Sequence, residues 1–396
     1  MSEPLKKIHW LGAGLASVPG IRRLVAKDYP VNLWEQDLEK AKAATKGLTG
    51  NVTLHTADND ELAKAIAVGD IVVSMLPASM HLNIAKLCLE KGANFVSSSY
   101  ISPEMVELDA EAKEKGLIFI NEVGLDPGID HLLSHLLIED YKASPQFSPD
   151  NEHDYQSYCG GFPTIANDFT YKFSWSPLGV LKALKNPAKA IVEGKEIDIA
   201  KPWDAVKSYD VALAEGMETF QSYPNRNSVV FMPHYGISED WTMKRFVRGT
   251  LRLNGWAEAW KDIFNTIETT EADKVDAELG PLSDKLWADY RYEDGEFDRV
   301  VLTVELKVMR NGITIWHKAK SMDSVGTRHA SAMARLVANT VSLATEAAFK
   351  GKLKPGVQAA PSDPAVIREW LETISELGDV VHHTDYCVQS RIIAAE

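Results

Sequence analysis

Residues 7–29 read KIHWLGAGLASVPGIRRLVAKDY. Ile8 to Leu11 form a short apolar run, the length of a buried strand. A glycine turn follows, and Val18, Ile21, Leu24 and Val25 then recur at helical spacing on one face. Gly12 and Gly14 hold the first two positions of a GxGxxG pattern, and Ser17 holds the third. The first glycine makes a tight turn and the second lets the backbone approach a pyrophosphate. The third position needs only a small residue, for helix–strand packing. Leu15 and Ala16 complete the turn, and the helix start offers N–H groups to phosphate oxygens. A glycine-rich turn before a helix serves other purposes too, so its surroundings decide the reading.

Those surroundings alternate strand and helix. VNLWEQD ends a second strand at Glu35, where an acidic side chain would grip the adenosine ribose through its hydroxyls. Gln36 follows, and positions 35–37 hold no Arg or Lys for a 2′-phosphate. NAD is therefore favoured, with NADP admitted. DIVVSMLPAS is a buried strand closing on Leu76 and Pro77, followed by the helix HLNIAKLCLEKG. ANFVSSSY, EMVELDAEAKEKG and LIFINEVG continue as strand, helix and strand. Short alternating units of this kind predict an α/β fold, a Rossmann-type doubly wound parallel sheet. Ligands then sit beyond the carboxyl ends of the strands, at Gly12–Ser17, Glu35, Leu76–Ser79, Ser98–Tyr100 and Glu122–Asp130.

A net charge of −14 argues against nucleic-acid and anionic-membrane partners and leaves a small-molecule substrate. Cys88, Cys159 and Cys387 are too few and too scattered for a disulfide framework or a CxxC metal pair, and neither HExxH nor paired-Cys spacing occurs. The expectation is no metal and a reducing, cytoplasmic setting. The N-terminus does not read as a signal peptide, and no apolar stretch is long enough to span a membrane.

SSSYISPEM, NEVGLDPGIDH, SYCGGFP, YKFSWSPLGVLKALKNPA, YPNRNS and RGTLRLNGW occur in that order. Together they resemble the saccharopine dehydrogenases of the glutamate-forming type, also called saccharopine reductases. The likeness runs to about Gly255 and resumes near SAMARLVANTVSLATEAAFKGKLKPG. It implies NAD(P)-dependent oxidation of saccharopine at its secondary amine, then hydrolysis to L-glutamate and 2-aminoadipate 6-semialdehyde, or the reverse condensation. This is a reaction of lysine metabolism. Two departures stand out. Fungal members carry an Arg after the second strand where this chain has Glu35 and Gln36, and the segment from Gly255 to about Val300 is shorter here.

A substrate with three carboxylates needs cations, and Arg226, Arg248 and Arg252 are the best suited. By resemblance, Ser99, Tyr100, Arg226, Thr250 and Arg252 are substrate contacts, and Asp126, Tyr100 and Cys159 are the catalytic candidates. Leu125, Asp126, Pro127 and Ser174 join the glycine turn, Glu35, Gln36, Leu76 and Pro77 as cofactor contacts. Asp126 reads equally as a turn cap, Tyr100 as packing and Cys159 as a pocket wall. His131 is a possible acid/base or a capping residue. Lys172 could face an anionic substrate.

Three domains are expected: a dinucleotide-binding domain over 1–125, an α+β catalytic and substrate domain with mixed or antiparallel sheet over 126–330, and C-terminal helices over 331–396 packing back on the first. SVVFMP and FVRGTLRL read as strands, and RVVLTVELKVMRNGITIWHKAK as a hairpin turning at Asn311-Gly312. A homodimer is expected. The alternatives are a dehydrogenase acting on another imine, such as carboxynorspermidine dehydrogenase, or an NAD-binding regulatory protein without catalysis.

Overall fold

The computed structural model describes residues 6–387. The ends of the first and third expected domains, 1–5 and 388–396, lie outside the described residues. In chain order the strands are β1 (Ile8–Leu11), β2 (Val31–Glu35), β3 (Val52–Thr56), β4 (Ile71–Ser74), β5 (Asn94–Ser97), β6 (Ile118–Ile120), β7 (Glu152–Pro163) and β8 (Ala188–Val192). They continue with β9 (Lys195–Ile199), β10 (Lys207–Leu213), β11 (Gly216–Pro224), β12 (Thr242–Arg252), β13 (Asp298–Arg310), β14 (Ile313–Val325), β15 (Gly356–Gln358) and β16 (Val381–Asp385). The described residues pack as two units, 6–131 with 334–366, and 132–333 with 367–387.

In the first unit a seven-stranded sheet runs β15-β6-β5-β4-β1-β2-β3, every pair parallel. β1, β4, β5 and β6 are buried on both faces, which is why they read as continuous apolar runs. Helix Val18–Ala26 buries Ile21, Leu24 and Val25 of the stripe its spacing predicts, with Gly20 buried in addition and Val18 only half-buried. Its tightest contact is at Gly20, where a Cβ would lie 2.4 Å from the carbonyl oxygen of Ala338 and 2.7 Å from the Trp10 ring. Ser17, at the third fingerprint position, is buried beside it, but the strict demand for a missing side chain falls three residues later. Ala338 belongs to helix Ala332–Phe349, which Arg23 ties down through Glu346 (2.7 Å) and Ser342 (3.1 Å). β15 extends the sheet at its β6 edge.

The second unit holds a mixed sheet in the order β10-β11-β12-β7-β13-β14-β16, with β8 on β12 and β9 on β8. β7 is its axis, parallel to β12 and antiparallel to β13. The β13–β14 hairpin turns at Asn311 and Gly312, both in the left-handed region (φ 51° and 76°), as that dipeptide demands. One expected strand is not a strand. SVVFMP folds as a 3₁₀ turn over Val229–Phe231, where the Asn227 side chain accepts the Val229 N–H at 3.0 Å and Val230 faces solvent. The local side-chain bond wins over β propensity there. Among the described residues no helix is long and apolar enough to cross a membrane.

Candidate functional site

Because the first sheet is parallel, the residues following its strands share one edge. Gly12 follows β1 with φ +92°, and a Cβ there would sit 3.4 Å from the Met75 carbonyl oxygen and 3.6 Å from the Leu76 side chain. The glycine turn and the Leu76–Pro77 turn are thus brought together. Leu15 is 54% exposed, Gly14 is open, and the N–H groups of Gly14, Leu15 and Ala16 have no partner among the described residues. These are the groups a pyrophosphate would take. Glu35 closes the arrangement. Its Oε2 accepts the Ala13 N–H at 2.7 Å and its Oε1 the Asp37 N–H at 3.2 Å, while Gln36 is exposed. This cradle fits a nicotinamide dinucleotide, whose ribose would meet an already oriented carboxylate.

Further along the same edge, the Tyr100 hydroxyl donates to Asp126 Oδ1 at 3.1 Å, so these two candidates do meet. Asp126 is partly exposed between buried Leu125 and buried Pro127, and the Asp126-Pro127 peptide is cis. The LDPG turn is held by the Gly124 N–H donating to the Pro127 carbonyl (2.9 Å) and the Gly128 N–H to Asp130 Oδ1 (2.7 Å). Asp130 thus takes part in the local turn bonding. Glu122 accepts the Ile101 N–H at 2.9 Å and lies 3.0 Å from His131 Nε2; His131 Nδ1 lies 3.6 Å from Asp130 Oδ2. His131 is fully buried between these carboxylates.

One residue here escaped the sequence reading. His81, in the first turn of helix Ala78–Lys91, bridges two hydroxyls: Nδ1 lies 2.8 Å from Ser74 Oγ and Nε2 2.8 Å from Ser99 Oγ. Burial holds its pKa down to about 4. The available signal was a histidine one turn after a carboxyl-end loop, with serines ending the two flanking strands.

In the second unit Thr250 and Arg252 lie two apart on β12, hence on one face. Thr250 stands opposite Tyr223 on β11 and opposite Cys159 on β7. Arg252 is 6% exposed. Its guanidinium carbon sits 4.9 Å from the Tyr171 ring, 5.3 Å from Trp256 and 5.6 Å from Tyr223. Its guanidinium donates to the Leu251 carbonyl (3.1 Å), its Nε has no partner, and no carboxylate pairs with it among the described residues. Burial raises the Tyr223 pKa against the lowering influence of Arg252.

Arg226 takes the left-handed region (φ 57°) in an exposed turn, where its carbonyl accepts the Lys189 N–H at 2.8 Å. Neighbouring Asn225 donates its N–H to the Arg248 carbonyl at 3.0 Å, which anchors this turn against β12. Buried Ser174 packs beside Gly161, and Lys172 is ion-paired to Glu296. The close approach at the Gly160-Gly161 pair comes from the protein itself, since a Cβ on Gly160 would lie 2.4 Å from the Leu251 carbonyl. Among the described residues no cluster of His, Cys, Asp or Glu could hold a metal.

Fold and site define a dinucleotide-binding α/β protein of the dehydrogenase class. The chain belongs to the saccharopine dehydrogenase family: residues 8–120 match the saccharopine dehydrogenase NADP binding domain and residues 124–379 the saccharopine dehydrogenase C-terminal domain. It is 34% identical over 258 residues to the saccharopine dehydrogenase [NADP(+), L-glutamate-forming] of Pyricularia oryzae, covering 64% of this chain and 56% of that one. To the Saccharomyces cerevisiae enzyme of the same name it is 29% identical over 431 residues, covering 91% and 95%. The chain thus spans about half the length of some of these relatives and nearly all of another. Apo saccharopine dehydrogenase (L-Glu forming) from S. cerevisiae superposes with a TM-score of 0.78 at 27% identity, covering 96% and 99%. The Legionella pneumophila homospermidine synthase, solved with NAD, shares the fold (TM-score 0.62, 10% identity, 96% and 91% covered).

Proposed function

We propose that this chain oxidises saccharopine at its secondary amine with a nicotinamide dinucleotide, yielding L-glutamate and 2-aminoadipate 6-semialdehyde, or runs the reverse condensation. The observation that carries this reading is Arg252. A buried guanidinium without a carboxylate partner is costly to hold unless a ligand supplies the charge. A substrate with three carboxylates supplies it, and a polyamine would not. Thr250, one turn of the pleat away, adds a hydroxyl, and Arg226 offers a second cation from its anchored turn.

The dinucleotide, when bound, supplies the hydride acceptor. The remaining tasks fall to side chains: orienting the amine and moving a proton. Asp126 is the group for the proton, with Tyr100 donating to it and fixing its orientation. Ser99 and Tyr100 bind substrate polar groups, Leu125 and Pro127 shape the turn under the nicotinamide, and Cys159 and Ser174 wall the ligand rather than react. Glu35 favours NAD, although the relatives' names specify NADP(+). Three free cysteines support a reducing, cytoplasmic setting.

The test is cofactor reduction by purified protein with saccharopine at alkaline pH, run with NAD and with NADP. Turnover with either, releasing glutamate, is the expected result. No turnover with either sinks the substrate assignment.

A further inference from the structure

Ser74 Oγ is fully buried at the end of β4, and His81 Nδ1 is its one hydrogen-bond partner among the described residues. A buried hydroxyl must place its proton on an acceptor or lose that bond altogether. Ser74 therefore donates to Nδ1, and a neutral imidazole then carries its proton on Nε2. Nε2 in turn donates to Ser99 Oγ at 2.8 Å. With its oxygen occupied as an acceptor, the Ser99 hydroxyl is left with its own proton to give. Within the protein that proton has no acceptor among the described residues, and Ser99 is partly exposed at the strand edge. The Ser99 backbone is immobilised as well, its N–H on Ser97 Oγ (3.1 Å) and its carbonyl under the Glu122 N–H (3.1 Å).

We propose that Ser74 and His81 are positioning residues that fix the tautomer of a Ser74–His81–Ser99 chain, making Ser99 a dedicated hydrogen-bond donor to an acceptor oxygen of the substrate. This rests on the assignment of Ser99 to substrate binding. The low pKa of His81 agrees with it, since the imidazole stays neutral over the working range and the chain keeps one polarity. A neutral histidine free to exchange tautomers would let Ser99 alternate between donor and acceptor.

The test has two arms. Histidine ¹⁵N NMR of the wild-type protein, with His81 assigned through His81→Leu, should show Nε2 protonated and Nδ1 bare. Ser74→Ala should lift the constraint and move the signals toward a tautomer mixture. In steady-state kinetics with saccharopine, His81→Leu should raise substrate KM at least tenfold, with the cofactor KM unchanged and kcat within about threefold. His81→Gln, whose side-chain amide can replace the Nε2 donor, should recover most of that KM, which a merely structural role would not require. A proton on Nδ1, or a His81→Leu enzyme with unchanged KM, overturns the proposal. Ser99→Ala without effect on KM overturns it through the substrate assignment. Absence of saccharopine turnover in the wild type is a failure of the function itself, and the NMR arm separates the two because it needs no turnover.

Discussion

The Glu35 carboxylate accepts the N–H of Ala13 at 2.7 Å, joining the end of β2 to the glycine turn after β1. The acid that would meet the ribose is thus oriented before any ligand arrives. Its second oxygen is held by the Asp37 N–H, and Asp37 is itself acidic. A 2′-phosphate placed here would face the Glu35 carboxylate and no cation within positions 35–37. Like charges at contact distance cost several kcal/mol at intermediate dielectric, so kcat/KM with NAD should exceed that with NADP by ~100-fold. The double substitution Glu35→Ser with Gln36→Arg should bring the ratio to unity or below. It should also cost about 1 kcal/mol of stability, because the Ala13 N–H loses its acceptor. Equal use of both cofactors by the wild type would refute the Glu35 argument while leaving the family untouched.

Arg252 separates binding from stability. Arg252→Met keeps the aliphatic volume inside the Tyr171, Tyr223 and Trp256 cage and deletes a buried charge that has no carboxylate partner. Replacing a costly buried ion with a packed apolar group is neutral or stabilising by about 1–2 kcal/mol. Losing a charged contact to a substrate carboxylate costs about 2–3 kcal/mol, so substrate KM should rise by roughly 30- to 150-fold. Urea unfolding of the apoprotein and saccharopine kinetics together check this. A variant that is both unstable and kinetically normal would make Arg252 a structural residue.

Strands β1, β4, β5 and β6 could be read from the sequence because they are buried on both faces, whereas β3 could not, since Val52–Thr56 is half-buried or exposed throughout. The Asn311-Gly312 hairpin was legible for a local reason. β15 was not, since Gly356–Gln358 is three residues long and holds its place only through distant partners. The Gly356 N–H donates to the Leu117 carbonyl (2.8 Å) and the Val357 N–H to Asp109 Oδ1 (2.9 Å). Nothing local marks it as a strand. The same limit applied at the site. Tyr100 and Asp126 could be nominated from their strand ends, but the His81 bridge joins residues 7 and 18 positions away on neighbouring strands, a relation only the fold creates. The caged state of Arg252 likewise depends on Tyr171 and Tyr223, 81 and 29 residues before it.

Asp126 and Tyr100 should divide their effects on rate. Asp126→Asn preserves the hydrogen bond from Tyr100 in shape but cannot accept a proton, so kcat should fall by ~10²–10³ with cofactor KM unchanged. Tyr100→Phe removes only the donor that orients the carboxylate at 3.1 Å, and a loss of ~10-fold is expected, worth about 1.4 kcal/mol. Steady-state kinetics of both variants and the double mutant read the coupling. If the two losses multiply independently, the pair does not act as a unit.

The Arg23–Glu346 pair should set the acid limit of the first unit. Glu346 has its pKa lowered from 4.5 to about 2: burial alone would raise it, and hydrogen bonds from Lys350 and Arg23 outweigh burial. The folded state therefore binds the proton less readily than the unfolded chain. The stabilisation is complete above pH 4.5 and is lost as pH falls from 4.5 through about 2. Because Lys27 and Lys350 are half exposed, solvent screening reduces the contribution to roughly 1–2 kcal/mol. Glu346→Gln should lower stability by that amount at neutral pH and match the wild type near pH 2. Chemical unfolding of both proteins between pH 2 and 7 measures the difference. A gap that persists undiminished to pH 2 would show that Glu346 acts through packing on helix Val18–Ala26, with its charge playing no part.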